Sequence, residues 1–429
     1  MGSLRSSLVA PLPPAVLASP VFAERTAPSS PTLTGSLTSN RVTKHDLFVH
    51  PNGFVATHTG ADMTRTVVCL DGLDPAYLDA VETPALDALA ERGREGTCEA
   101  VVPTLTNVNN AAITTARPPA DHGIPGNTLF DPDIGEREYV RSAEHRQADT
   151  WLEEVADGGG DAAAIVVKEK LRDLLFGESV DAASAEEPPA RLEAAVGEAP
   201  GVYSGEASAW ALGAAAHVRE TREPDVLYVS TTDVVPHKHE PGTAAAADWV
   251  QALDAGLAAL ARPGDELVVT ADHGMSAKSL CVDLPTVLAN AGYDAEVVRC
   301  IRDAHTYHHR NLGGAAYVHL DGAGDGALDL LADVEGVDRV LDREAAADRY
   351  RLPADRIGDA LVLGTEESVF GPIGGDAETA VDGDPEATHA TVGLRSHGSA
   401  HERTVPYVTT TGAALDSTVG AWRAVSGRE

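Results

Sequence analysis

The chain of 429 residues carries 66 acidic against 32 basic side chains, a formal charge of -34. A surface of that sign repels nucleic acid, and the sequence holds no local basic patch to offset it, so a nucleic-acid polymer is excluded as a partner. The length suits one large α/β domain with an inserted cap, and the absence of any run of 18 apolar residues excludes a membrane-spanning helix.

Alanine and aspartate are abundant and lysine is scarce beside arginine. That balance resembles cytoplasmic proteins of halophilic archaea, in which concentrated salt screens the self-repulsion of the acidic surface. Cys69, Cys98, Cys281 and Cys300 are scattered with no CxxC pair, the usage expected of small reduced hydrophobes in a reducing compartment. Residues 1–62 are rich in Ser, Thr and Pro with weak periodicity. They read as a flexible arm with one edge strand around 46–55, and prolines interrupt the early apolar stretch that would otherwise suggest a secretory signal.

The core is expected to begin with a five-residue apolar strand, 66–70, that stops at Asp71 before a Gly/Pro turn. Residues 83–93 follow with Thr83 as cap, Pro84 in the first turn and Gly93 as the stop, a short amphipathic helix. Next comes Pro103-Thr-Leu-Thr-Asn-Val-Asn-Asn110 and a helix over 111–116. Thr106 and Asn107, placed just before that helix, have two readings. They are either a plain N-cap or a hydroxyl nucleophile facing an anion held at a helix N-terminus. The loop at 123–131 places Asn127 where its amide can aim into a site. A strand over 162–167 ends at Lys168 and Lys170, a charged pair that by itself reads as solvated surface. Residues 177–200, acidic and rich in Pro and Ala, read as a surface excursion.

A helix near 205–220 leads into a strand ending at Asp233, and Asp233-Val-Val-Pro-His237 sets a carboxylate and an imidazole four residues apart. A helix over 248–261 and a turn at 263–265 feed a third strand that ends at Asp272-His273-Gly274. From 297 to 372 the pattern changes to short mixed elements, read as a small α+β cap subdomain inserted between core segments 63–296 and 373–429. Its histidines His305, His308 and His309 read as cap packing or polar lining rather than as metal ligands. The core resumes near Ser396-His397-Gly398, and a strand at 405–411 closes it before a short tail.

Asp71, Asp233, His237, Asp272, His273 and His397 thus fall at strand ends or glycine-marked loops. Mixed Asp/His ligation suits zinc or a similar divalent ion, and six such residues point to a two-metal site with Thr106 as the hydroxyl best placed to serve it. Neither GxGxxG nor GxxxxGK[ST] follows any of these strands, which argues against a simple nucleotide-binding fold.

Asp71-Gly, Thr106-Asn, Asp233-xxx-His237, Asp272-His273-Gly and Ser396-His397-Gly together resemble the alkaline phosphatase superfamily. Within it, the Thr106 segment, Thr-Thr-Ala-Arg-Pro-Pro119, His122-Gly-Ile-Pro-Gly-Asn127 and Val167-Lys-Glu-Lys-Leu171 are similar to the phosphonoacetate hydrolase family over roughly residues 64–415. The resemblance implies an α/β core with a mostly parallel central sheet flanked by helices. It implies two divalent ions, zinc in the family, one held by Asp233, His237 and His397 and the other by Asp71, Thr106, Asp272 and His273. It further implies Thr106 as nucleophile, Asn127 on the phosphonyl oxygens, and Lys168 and Lys170 on the substrate carboxylate. The substrate is then a small anionic phosphonate or phosphate ester, with nucleotide pyrophosphatase/phosphodiesterase activity as the alternative, in a cytoplasmic protein compatible with a homodimer. Val108 departs from the small or proline residue expected in the nucleophile segment, and the heavy acidity sets the whole surface against an anionic substrate.

Overall fold

Arg65–Cys69, Ala162–Val166, Val226–Ser230 and Glu266–Thr270 are runs of small and β-branched residues, buried almost throughout. Near-continuous apolar runs of this kind suit parallel strands covered on both faces. In the computed structural model they lie side by side in a seven-stranded sheet. The model describes residues 63–301, 310–322, 324, 326–375 and 379–427, so the N-terminal arm and His305, His308 and His309 lie outside the described residues.

The sheet runs in the order Arg94–Glu99, Thr404–Thr409, Glu266–Thr270, Arg65–Cys69, Val226–Ser230, Ala162–Val166, Asp181–Ser184. The last five are mutually parallel. Thr404–Thr409 is antiparallel to both its neighbours. The sheet is therefore mixed but mostly parallel, as the strand patterns lead one to expect. Among the flanking helices, Glu206–Arg222 and Ala244–Leu260 pack on each other. Trp422 of Ala421–Ser426 stacks on Trp151 of Trp151–Asp157, ring centroids 4.3 Å apart. No helix among the described residues is long and apolar enough to cross a membrane.

Two larger sheets follow, besides the two-stranded hairpin of Thr128–Asp131 and Glu136–Tyr139. Ser276–Val282 pairs with Ser368–Phe370 and with His389–Ser396, the strand that leads to His397. Ala295–Arg299, Ala315–Leu320, Ala360–Gly364 and Val337–Asp342 form a four-stranded antiparallel sheet.

Three local readings change. The 177–200 stretch is not only a surface excursion: Asp181–Ser184 is the edge strand of the central sheet, and Ala190–Val196 is a helix. The helix expected from 111 begins at Thr106 and runs to Thr115. The tail contains the helix Ala421–Ser426.

Candidate metal centre

Chain topology places the chemistry. Each of the four central parallel strands ends two or three residues before a sequence-predicted site residue: Asp272, Asp71, Asp233 and Lys168 follow Thr270, Cys69, Ser230 and Val166. The C-terminal edge of a parallel sheet is where open α/β folds bind ligands. Thr106, the first residue of its helix, meets this edge from the side, with Oγ1 3.2 Å from Nε2 of His273. Gly72 permits the crowding. Its φ is +72°, and a Cβ there would stand 2.8 Å from Cβ of Asp233, so neither the turn nor the approach tolerates a side chain.

Donor atoms of Asp233, His273 and His397 lie within 4.8 Å of one another, and so do those of Asp71, Asp272 and His273. His273 thus stands between the two groups, 3.5 Å from Asp71 and 3.7 Å from Asp272. His237 joins the first group through Asp233, Nε2 to Oδ2 at 2.9 Å; the short helix Val234–Lys238 that begins after Asp233 brings the two together. His397 Nε2 is 3.7 Å from the same oxygen. All seven of the residues expected as ligands, Thr106 included, therefore converge.

The imidazoles are oriented alike. Nδ1–H of His237 donates to the carbonyl of Arg395 at 2.7 Å, that of His273 to Gly274 at 3.0 Å, and that of His397 to Thr104 at 2.6 Å. Each carbonyl fixes a tautomer that leaves the Nε2 lone pair facing the centre, the arrangement ligating histidines adopt. Burial first, and then the neighbouring rings of His273 and His237, hold His397 well below its ordinary value, so it stays neutral.

The carboxylates complete the argument. Asp272 is satisfied: Oδ1 accepts the Gly72 and His273 amides at 3.1 Å each, and Oδ2 accepts Asn110 Nδ2 at 3.0 Å. Asp71 is not, since neither buried oxygen has a hydrogen-bond partner among the described residues. Burial, then Asp233 and Asp272, push its carboxyl well above the usual range, with Lys168 opposing. A buried carboxylate without donors is costly unless a cation compensates it. The donor set fits divalent metal: hard carboxylate oxygens together with imidazole nitrogens that face the same centre.

The proposed substrate residues fall at different places. Lys168 has its amine 3.7 Å from Asp233 Oδ1, with the side chain 11% exposed. Lys170 lies over the ring of Tyr139, 5.6 Å from its centroid. Tyr139 pairs with Thr128 across a hairpin, so Lys170 faces the segment that carries Asn127. Asn127 is buried. Its carbonyl accepts the Val140 amide at 3.0 Å, and the Val140 carbonyl accepts Asn107 Nδ2 at 3.3 Å, tying this turn to the first turn of the Thr106 helix.

Several supporting residues escaped the sequence reading. Asn110 holds Asp272 while its Oδ1 accepts the Tyr228 hydroxyl at 2.5 Å. Asn109 clamps Val101 through both amide and carbonyl. Lys278 and Glu402 form a fully buried ion pair at 2.7 Å. Glu402 also accepts the Ser399 amide and hydroxyl, and its carbonyl accepts the Gly274 amide at 2.7 Å, so the pair joins the His397 and His273 loops. The run of asparagines after Thr106 was the one available signal.

The chain is also similar to known proteins. Residues 66–385 match the type I phosphodiesterase / nucleotide pyrophosphatase family. Phosphonoacetate hydrolase from Sinorhizobium meliloti 1021, crystallised in complex with phosphonoacetate, superposes with a TM-score of 0.77 and 32% identity, over 90% of this chain and 99% of that one. Its complex with phosphonoformate gives the same values. Murine ectonucleotide pyrophosphatase / phosphodiesterase 5 shares the fold at a TM-score of 0.59 and 16% identity, over 84% of this chain and 93% of that one. The chain belongs to the type I phosphodiesterase / nucleotide pyrophosphatase family and is a metal-binding, phosphonoacetate-hydrolase-like hydrolase of the alkaline phosphatase superfamily.

Proposed function

We propose that the protein hydrolyses the carbon–phosphorus bond of phosphonoacetate to acetate and phosphate, through a phosphorylated Thr106. The observation that carries this reading is the sheltered amine of Lys168 beside Asp233, at the rim of a centre that also holds Thr106. A phosphodiester needs no cation there, whereas a substrate with a second anionic group does. The 32% identity to a phosphonoacetate hydrolase supports the same choice.

Asp71, Asp272 and His273 would hold one divalent ion and Asp233, His237 and His397 the other, taken here as zinc; bound there, the pair supplies Lewis-acid activation of the Thr106 hydroxyl and neutralises phosphonyl charge. Thr106 Oγ1 attacks phosphorus as its oxygen–phosphorus bond forms and the phosphorus–carbon bond opposite breaks. The released electron pair passes to the methylene carbon and delocalises into the adjacent carboxylate. Lys168 and Lys170 stabilise that developing enediolate, which takes up on carbon the equivalent of the proton that the Thr106 hydroxyl loses on attack and so becomes acetate. Asn127 donates to the phosphonyl oxygens, and the N-terminus of the Thr106 helix adds a favourable dipole for the anion. Water then displaces Thr106 from phosphorus and releases phosphate.

Lys168→Ala separates this reading from nucleotide or phosphodiester hydrolysis, which the family match favours as the second reading. Loss of a charge-assisted contact predicts a fall in kcat/KM for phosphonoacetate of about 10- to 100-fold, with KM raised, against less than about threefold for bis(p-nitrophenyl) phosphate. Equal losses on both substrates would place Lys168 outside substrate selection and favour the diesterase.

A further inference from the structure

Arg395 bonds to the segments that bring the carboxylates and imidazoles to the centre. It lies two residues before His397, in the strand His389–Ser396. Its Nε donates to the Pro236 carbonyl at 2.8 Å, beside His237. Its Nη2 donates to the Met275 carbonyl at 2.9 Å, two residues after His273, and to the Tyr77 hydroxyl at 3.3 Å. Tyr77 belongs to the short helix Pro75–Leu78 that follows Asp71, and its own hydroxyl donates to the His239 carbonyl at 2.7 Å. The Arg395 carbonyl, finally, accepts Nδ1–H of His237 at 2.7 Å.

We propose that Arg395 is a positioning residue for the metal centre, holding the Asp71, Asp233–His237, Asp272–His273 and His397 segments in register from one side chain and one carbonyl. The residue type follows from the geometry. Three acceptors on three segments surround the guanidinium, and a rigid planar fork of donors can serve them together. A lysine offers the same charge from a single point, so it cannot span the set. Partners one bond removed from a metal site characteristically tune its affinity. The inference rests on the assignment of these carboxylates and imidazoles as metal ligands.

The test measures metal binding rather than turnover. Chelator-stripped wild type, Arg395→Lys and Arg395→Met are titrated with zinc against a chromogenic chelator, and with cobalt(II) to record the visible spectrum. Circular dichroism confirms folding. The expected result is zinc affinity weakened about 10- to 100-fold in both variants, with an altered cobalt spectrum and unchanged secondary structure. Wild-type affinity and an unaltered spectrum in either variant would overturn the proposal. If Arg395→Met does not fold, Arg395→Lys is read alone by the same criterion. A wild type that binds neither metal would instead overturn the metal centre itself, and this inference with it.

Discussion

Thr106→Ala is expected to lower phosphonoacetate turnover by at least about 10³-fold while leaving the fold and its stability nearly unchanged. Removing the attacking group closes the covalent route through a phosphorylated side chain, so the loss falls on the chemical step itself. The hydroxyl is otherwise dispensable, because its one hydrogen bond to another side chain among the described residues is to His273. The helix does not depend on it either: Asn109 and Asn110 close the first turn through bonds to the carbonyls of Leu105 and Thr106. Steady-state kinetics and thermal unfolding of the same preparation check both halves. Retained turnover would move the nucleophile elsewhere, and a collapsed fold would make Thr106 structural.

Lys278→Met is expected to be the most destabilising single change near the site, by about 3–5 kcal/mol at neutral pH, since it leaves the Glu402 carboxylate buried without its counter-charge. Both side chains are 0% exposed. Burial alone would raise the Glu402 carboxyl, but the charge and hydrogen bond of Lys278, with bonds from Ser276 and Ser399, bring it below its ordinary 4.5. A depressed folded pKa contributes stability that is present above pH 4.5 and lost as pH falls through the folded value. In Lys278→Met burial prevails and the sign reverses, so Glu402 takes up a proton as pH falls and the penalty shrinks. Urea unfolding of metal-free wild type and variant at pH 7 and near pH 4 measures this. A penalty that is constant with pH would mean that lost packing, not an uncompensated charge, is the cause.

The centre was legible because of where parallel strands lie. A buried strand has to be apolar throughout, so a carboxylate at its end stands out; Asp71, Asp233 and Asp272 each follow such a run. Edge strands carry no such signal. Arg94–Glu99 has four exposed residues of six and forms only because Thr404–Thr409 pairs with it. Asp181–Ser184 hides in an acidic stretch for the same reason. The helix from Thr106 was read as starting late because Thr, Val and Asn are poor helix formers. Side-chain bonds from Asn109 and Asn110 offset that deficit. Arg395 and the Lys278–Glu402 pair were unreadable, since the side-chain partners of Arg395 lie 120 or more residues away and the two charges of the pair lie 124 apart. Composition nevertheless held a hint: the chain has five lysines, and of these Lys168 stands beside Asp233 and Lys278 pairs with Glu402.

The most direct test of the account follows both products when the zinc-loaded protein meets phosphonoacetate. Phosphate and acetate are expected in equal amounts, with turnover abolished by a chelator and restored by zinc, and with AMP esters and phosphodiesters cleaved far more slowly. Rapid phosphodiester or nucleotide cleavage without acetate release from phosphonoacetate would contradict it.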